Sequence, residues 1–212
     1  MITKITAYLH ANRHFSIAKR AAAGDSSEND ASIVSIMFSV LALEAFINES
    51  GALAKLVPTS KRQKIIEGFA QVMGELEERK ESLLVKYHLA LLVFSGSTWD
   101  EGSQPFQDFK LLIALRNAIA HTKADKWEAP VSESERDPER SLDQYPKIIR
   151  QLYQKKIIEL PDKSTSWLEV LDQPKVAEWA CSTAKLITEE FLNAVPDGEY
   201  KSSLAEHVFQ SE

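Results

Sequence analysis

Apolar residues recur along most of this chain at the three-and-four spacing of amphipathic helices, and no stretch of useful length alternates apolar with polar residues as a strand would. Residues 3–23 predict a first helix, with Ile5, Tyr8, Leu9, Phe15, Ile17 and Ala18 on helical spacing and Gly24 and Asp25 as its stop. Asp30 is placed to cap a second helix that runs to about Leu56 ahead of Pro58. Its apolar residues, from Ile33 and Val34 through Leu43 to Ile47, surround the axis, and a helix apolar on all sides belongs in the middle of a bundle. A third apolar stretch, capped by Thr59 or Ser60, starts at Lys61 and reaches about Phe94 as one helix or two, with interruptions at Gly68 and Gly74. After a turn at 96–103, residues 104–123 predict a further helix. Helical periodicity returns at 146–158 and 175–194, with a short tail helix near 201–209. The expected fold is all-α: a single bundle of about six to eight helices spanning residues 1–212. Its N-terminal helix lies within 1–25, and residues 197–212 form a tail.

Composition narrows this picture. With 44% apolar and 26% charged residues, the chain can bury a substantial core. Cys181 is the only cysteine, so an intrachain disulfide and a cysteine-based zinc site within one chain are ruled out, which fits a reducing compartment. Lys4, His10, Arg13, His14 and Lys19 interrupt the N-terminal apolar pattern, and the longest apolar run, 31–47, falls short of a bilayer span and contains Glu44. A cytoplasmic protein with no membrane association is expected. The formal net charge is −6, so any contact with RNA must come from a local basic patch. Arg13, Lys19 and Arg20 on the first helix form one candidate, although a solvated face has the same appearance. Residues 124–143, a polar loop holding Pro130 and Pro138 as well as Glu133, Glu135, Asp137 and Glu139, follow the fourth predicted helical segment.

That segment ends in RNAIAH, from Arg116 to His121. On a helical wheel Asn117 and His121 share a face one turn apart, with Arg116 flanking it. Phe106, Phe109, Ile113 and Ala120 fill the wedge beside them, while Leu111, Leu115, Ala118 and Ile119 lie opposite, so both sides call for burial. Three polar side chains amid Phe and Ile need partners, since each unsatisfied buried group costs roughly 1–3 kcal/mol. Glu44 and Asn48, four apart on the apolar second helix, can supply them, and a Glu44–Arg116 pair is expected. His121 sits in the last turn, where the carbonyl ends of the helix favour the imidazolium form, and Arg116 can hold two phosphate oxygens. An acid and an anion clamp are thus available without metal or cofactor. His10 and His14 stand one turn apart but lack an evident third ligand, and Cys181 reads as a small core residue.

RNAIAH resembles the motif of the HEPN superfamily, in which a histidine follows an arginine after four to six residues and a polar residue often comes directly after the arginine, as Asn117 does. LALEAFINES, residues 41–50 with Glu44 and Asn48, is similar to a helix of several HEPN-like groups, and Trp179 in VAEWACSTAKLI fits their final helix. The resemblance implies a metal-independent endoribonuclease working as a homodimer, the toxin or effector of a toxin–antitoxin or defence system restrained by a regulatory antitoxin or other partner protein. In it His121 would be general acid or base, Arg116 the clamp on the phosphorane and Asn117 an orienting group. A twofold dimer would bring a second Arg116 and His121 to one cleft. The alternative is a non-catalytic HEPN-like binding or scaffold module using the same cleft, its polar cluster orienting helices or setting dimer register.

Overall fold

The computed structural model describes residues 9–24, 30–57, 63–126, 140–162 and 165–206. Nine α-helices and one 3-10 turn occur among them, and no strand. They are α1 (Ala11–Ala22), α2 (Ala31–Leu56), α3 (Lys64–Glu78), α4 (Leu83–Ser95), α5 (Phe106–Ala120), α6 (Lys147–Gln154), α7 (Trp167–Val170), α8 (Pro174–Ala194) and α9 (Glu199–Glu206), with the 3-10 turn at Leu142–Gln144. The expected all-α bundle is what forms. Several expected features lie outside the described residues: the first eight positions, Asp25, the capping Thr59 and Ser60, and Glu133, Glu135, Asp137 and Glu139 of the 124–143 loop.

α2 is the axle. It packs against α1, α8, α3 and α5, with lesser contacts to α9 and α4. By length and composition it could cross a membrane, but half of its most apolar window is buried by its neighbours, as a bundle's central helix would be. Small residues on α2 allow this crowding: Ser32, Ser35, Ser39, Ala42, Ser50, Gly51 and Ala54 are all buried. At Gly51 a Cβ would lie 2.7 Å from the Cβ of Met73, so the glycine sets how closely α3 approaches. Buried serines remain satisfied, Ser35 donating to the carbonyl of Ala18 and Ser50 to that of Phe46. Phe46, Phe69, Phe94, Phe191, Tyr87 and Tyr200 meet edge to face or tilted around the middle of the bundle. The Tyr200 hydroxyl donates to the Ser50 carbonyl at 2.8 Å and that of Tyr87 to the Leu43 carbonyl at 3.1 Å, and burial pushes both phenols above their ordinary pKa.

Three boundaries depart from the sequence expectation. Asp30 precedes α2, but its backbone is left-handed (φ 91°) and its side chain makes no capping bond. The apolar stretch from Lys61 divides not at Gly68 or Gly74, both inside α3, but at Lys80, also left-handed (φ 55°), where Glu81 N–H reaches back to the Leu76 carbonyl. Ser82 then caps α4 by accepting from Val85 N–H. α6 stops at Gln154 in the same way, with Lys156 left-handed (φ 58°) and Ile157 N–H bonded to the Leu152 carbonyl. The start of α1 is capped from another helix: the Glu49 carboxylate accepts from the N–H groups of His10 and Ala11.

Candidate functional site

α5 is held by its apolar residues from both sides. Phe106, Phe109, Leu111, Leu112, Ile113 and Leu115 are buried, with Phe109 edge-on to Tyr87 at 5.0 Å and Phe106 stacked on Trp99 at 5.3 Å. The helix closes at Ala120, so His121 is its C-cap rather than a member of the last turn. His121 N–H donates to the Asn117 carbonyl at 3.0 Å. Thr122, not singled out in the sequence, donates its hydroxyl to the carbonyls of Ile119 (2.7 Å) and Ala118 (3.2 Å), taking up acceptors that a helix end leaves open.

Arg116 and Glu44 are brought together as expected, a guanidinium nitrogen lying 3.6 Å from a carboxylate oxygen. Their side chains are 26% and 45% exposed. The Arg116 Nε is buried and has no acceptor among the described residues, so the guanidinium keeps donor capacity in a place where an open donor is costly. Asn117 and His121 are exposed, so no other helix among the described residues covers this end of the motif face. The reason is that α5 outruns its cover: Ala114, Asn117 and Ala120 are exposed, and Ala118 and Ile119 only half-buried.

Asn48 does not serve this cluster. Its Oδ1 accepts from the Nζ of Lys86 at 2.8 Å, and Lys86, 5% exposed, also pairs with Glu77. This triad went unforeseen, although one cation in the apolar run of α4 had to find partners. His10 is exposed, and His14 packs on the Phe38 ring at 5.8 Å. Among the described residues no three His, Cys, Asp or Glu side chains gather where a metal ion could sit. Cys181 is half-buried beside Ser39, and burial raises its thiol pKa. Trp179 is half-buried on α8, its indole N–H buried without a partner among the described residues.

Just beyond the motif the two ends of the 124–143 loop are fastened to each other. Arg140, nearly fully buried, holds both oxygens of Asp125 at 2.8 and 2.9 Å. It also donates to the Gln144 and Thr165 carbonyls and lies 4.2 Å over the Tyr145 ring. Asp125 accepts from Trp167 N–H as well. The bonds from Arg140 are the main cause holding the Asp125 carboxyl below its usual pKa, against the opposing effect of burial. Around this clasp a hollow is lined by Lys123 and Lys126, both exposed, and by Pro146 at the start of α6, which brings that start to the segment following α5.

The arrangement offers an imidazole and an amide open to solvent, a partly exposed arginine anchored by one carboxylate, and lysines close by in sequence. Compared with protein-family models, with curated proteins and with solved structures, the chain finds no match.

Proposed function

We propose that this chain is a metal-independent endoribonuclease of HEPN type, active as a homodimer, with Arg116, Asn117 and His121 as its working residues. The observation that carries the reading is the contrast within one turn and a half of α5: Arg116 is anchored by Glu44 with part of its side chain still exposed, while Asn117 and His121 are exposed at the helix end. A merely structural polar cluster would close on itself. This one leaves its acid-base group and its amide free.

In the reaction the substrate's 2'-oxygen bonds to phosphorus and the bond from phosphorus to the 5'-oxygen breaks, leaving a 2',3'-cyclic phosphate and a 5'-hydroxyl. The 2'-hydroxyl gives its proton to one imidazole, and the departing 5'-oxygen takes a proton from another. His121 and the partner subunit's His121 share these roles. Arg116 neutralises the phosphorane, and Asn117 orients the phosphate or the attacking hydroxyl. The homodimer forms along α2, where Ile33, Val34, Met37, Phe38 and Ala45 are only half-buried and Leu41 is 37% exposed, the same helix that carries Glu44. A role as a toxin or defence effector restrained by a partner protein follows from the resemblance alone.

One observation favours a second reading, a non-catalytic binding module: Glu44 already occupies part of the Arg116 guanidinium and competes with a phosphate for it. The two readings separate in a single experiment. Wild type, His121→Ala and Arg116→Ala are incubated with single-stranded and structured RNA in chelator, and product ends are analysed. Under the nuclease reading wild type yields cyclic phosphate ends and each variant loses activity by about a hundredfold or more. Equal behaviour of all three proteins ends it.

A further inference from the structure

Besides the cations of α1, a second basic run of the kind an acidic chain needs for RNA lies on α6. Between Asp143 and Glu159 the sequence holds four cations, Lys147, Arg150, Lys155 and Lys156, and no acid. This run is α6 and its C-cap, and it also carries Gln151, Gln154 and Tyr153, the last 42% exposed. We propose that α6, together with the groove between it and α5, binds single-stranded RNA and leads it to His121. The inference rests on the ribonuclease reading for the direction of the strand, and on α6 itself for the binding.

Position is the first support. α1 packs on α2 and α8, whereas α6 packs on α5, the motif helix. Lys155 pairs with Asp108 near the start of α5 at 2.8 Å, and the Asp125–Arg140 clasp brings the other end of α6 to the end of α5. The helices therefore run antiparallel, and Lys147 lies toward the motif. The groove between them, about 550 Å³, is lined by Gln107, Lys110 and Ala114 of α5 and by Gln151, Gln154 and Lys155. Positions 107, 114 and 121 are spaced by two helical turns, as are 110 and 117, so this wall of the groove continues into Asn117 and His121. From Ala114 to His121 is about 10 Å along the axis, roughly the reach of two nucleotides.

Chemistry is the second. Lysines follow the phosphates, amides reach base edges, and an exposed tyrosine offers a face on which a base stacks. Gln154 also borders a second hollow of about 480 Å³ with Tyr153, Lys156 and Lys175, so a strand can pass over the end of α6 from one groove to the other. The acids on this surface include Glu101, bonded to Lys110, Asp108, bonded to Lys155, Glu159 in the second hollow, and exposed Asp143, which faces Arg150 ahead of α6. Glu101 is 63% exposed, and an ion pair that open to solvent yields readily to a phosphate.

The test is fluorescence anisotropy with a labelled 2'-O-methyl oligonucleotide, which lacks the attacking hydroxyl, in chelator at several salt concentrations. Wild type, Lys147→Glu/Lys156→Glu and Tyr153→Ala are compared, with circular dichroism melts confirming folding. The proposal expects the double lysine variant to lose about tenfold or more, and Tyr153→Ala to lose severalfold. The slope of log K against log salt should shrink by about 0.7 per lost phosphate contact. A double variant and a Tyr153 variant that both bind like wild type overturn it, even if RNA is cleaved. A wild type that does not bind at low salt also overturns it. Binding lost on α6 substitution, with no cleavage by any protein, upholds the surface while the nuclease reading fails.

Discussion

Asp125 and Arg140 stand fifteen residues apart, and neither belongs to a helix, yet their bidentate bond is the most buried of the ion pairs described. Removing one partner leaves the other's charge stranded, so Asp125→Asn is expected to cost about 3 kcal/mol in urea unfolding, far more than an exposed pair would. The pH dependence follows from the direction of the Asp125 shift. Its folded pKa is depressed, so its contribution is complete above the ordinary carboxylate value near pH 4 and is lost as pH falls through the folded value. The stability gap between wild type and Asp125→Asn should thus stay level from about pH 7 to 5 and narrow below about pH 4. A gap that persists unchanged at pH 3 would assign the stability to something other than this carboxylate. Contacts of this kind explain why the site was only partly legible in the sequence. Glu44–Arg116 could be foreseen because both lie on strongly patterned helices, whereas the Asp125–Arg140 clasp joins two irregular segments whose spacing carries no periodic signal.

At the scale of elements, the periodicity of 3.6 located nearly every long helix, because each buries an apolar face and the pattern is the cause of the packing. Where helices stop was harder to read. α3 and α6 both end in left-handed lysines, Lys80 and Lys156, so the residue type gave no glycine to mark the turn, while Gly68 and Gly74 sit inside α3. α7 is a single turn, too short for its own periodicity, and is defined by the Ser166 cap and buried Trp167 and Val170. Gly51, by contrast, serves packing. Gly51→Ala would set a methyl 2.7 Å from the Met73 Cβ, which is side-chain base and cannot swing away, so α2 and α3 must part. The expected loss is about 1–3 kcal/mol by overpacking, offset only slightly by the better helix propensity of alanine. Gly68→Ala, where an added Cβ meets nothing within 4 Å, should instead leave thermal stability level or raised. The pair of melts checks whether close approach of helices, rather than flexibility, explains Gly51.

For the whole molecule, the decisive question is whether α2 meets a second copy of itself. It is the most central helix, and yet it keeps one apolar strip, from Ile33 to Ala45 with Leu41 at its middle, that its own neighbours only partly cover. Glu44 lies at the edge of that strip, and through it so does Arg116. A twofold axis along the strip would place two copies of the motif on one face of the assembly, which a mechanism with two proton transfers requires of a chain holding one motif histidine. Leu41→Glu tests this without touching the motif. In a monomer the change is nearly neutral for stability, because the side chain is already well exposed, but in a twofold dimer it sets two carboxylates against each other in an apolar seam. Light scattering should find wild type at twice the mass of the variant, with similar melting at low concentration. RNA cleavage should fall with the loss of the dimer, while oligonucleotide affinity drops only by the factor that two linked patches contribute. If the variant remains dimeric, the axis lies elsewhere on the molecule. If it is monomeric and still cuts RNA at the wild-type rate, one imidazole suffices and the shared cleft is not the site of reaction.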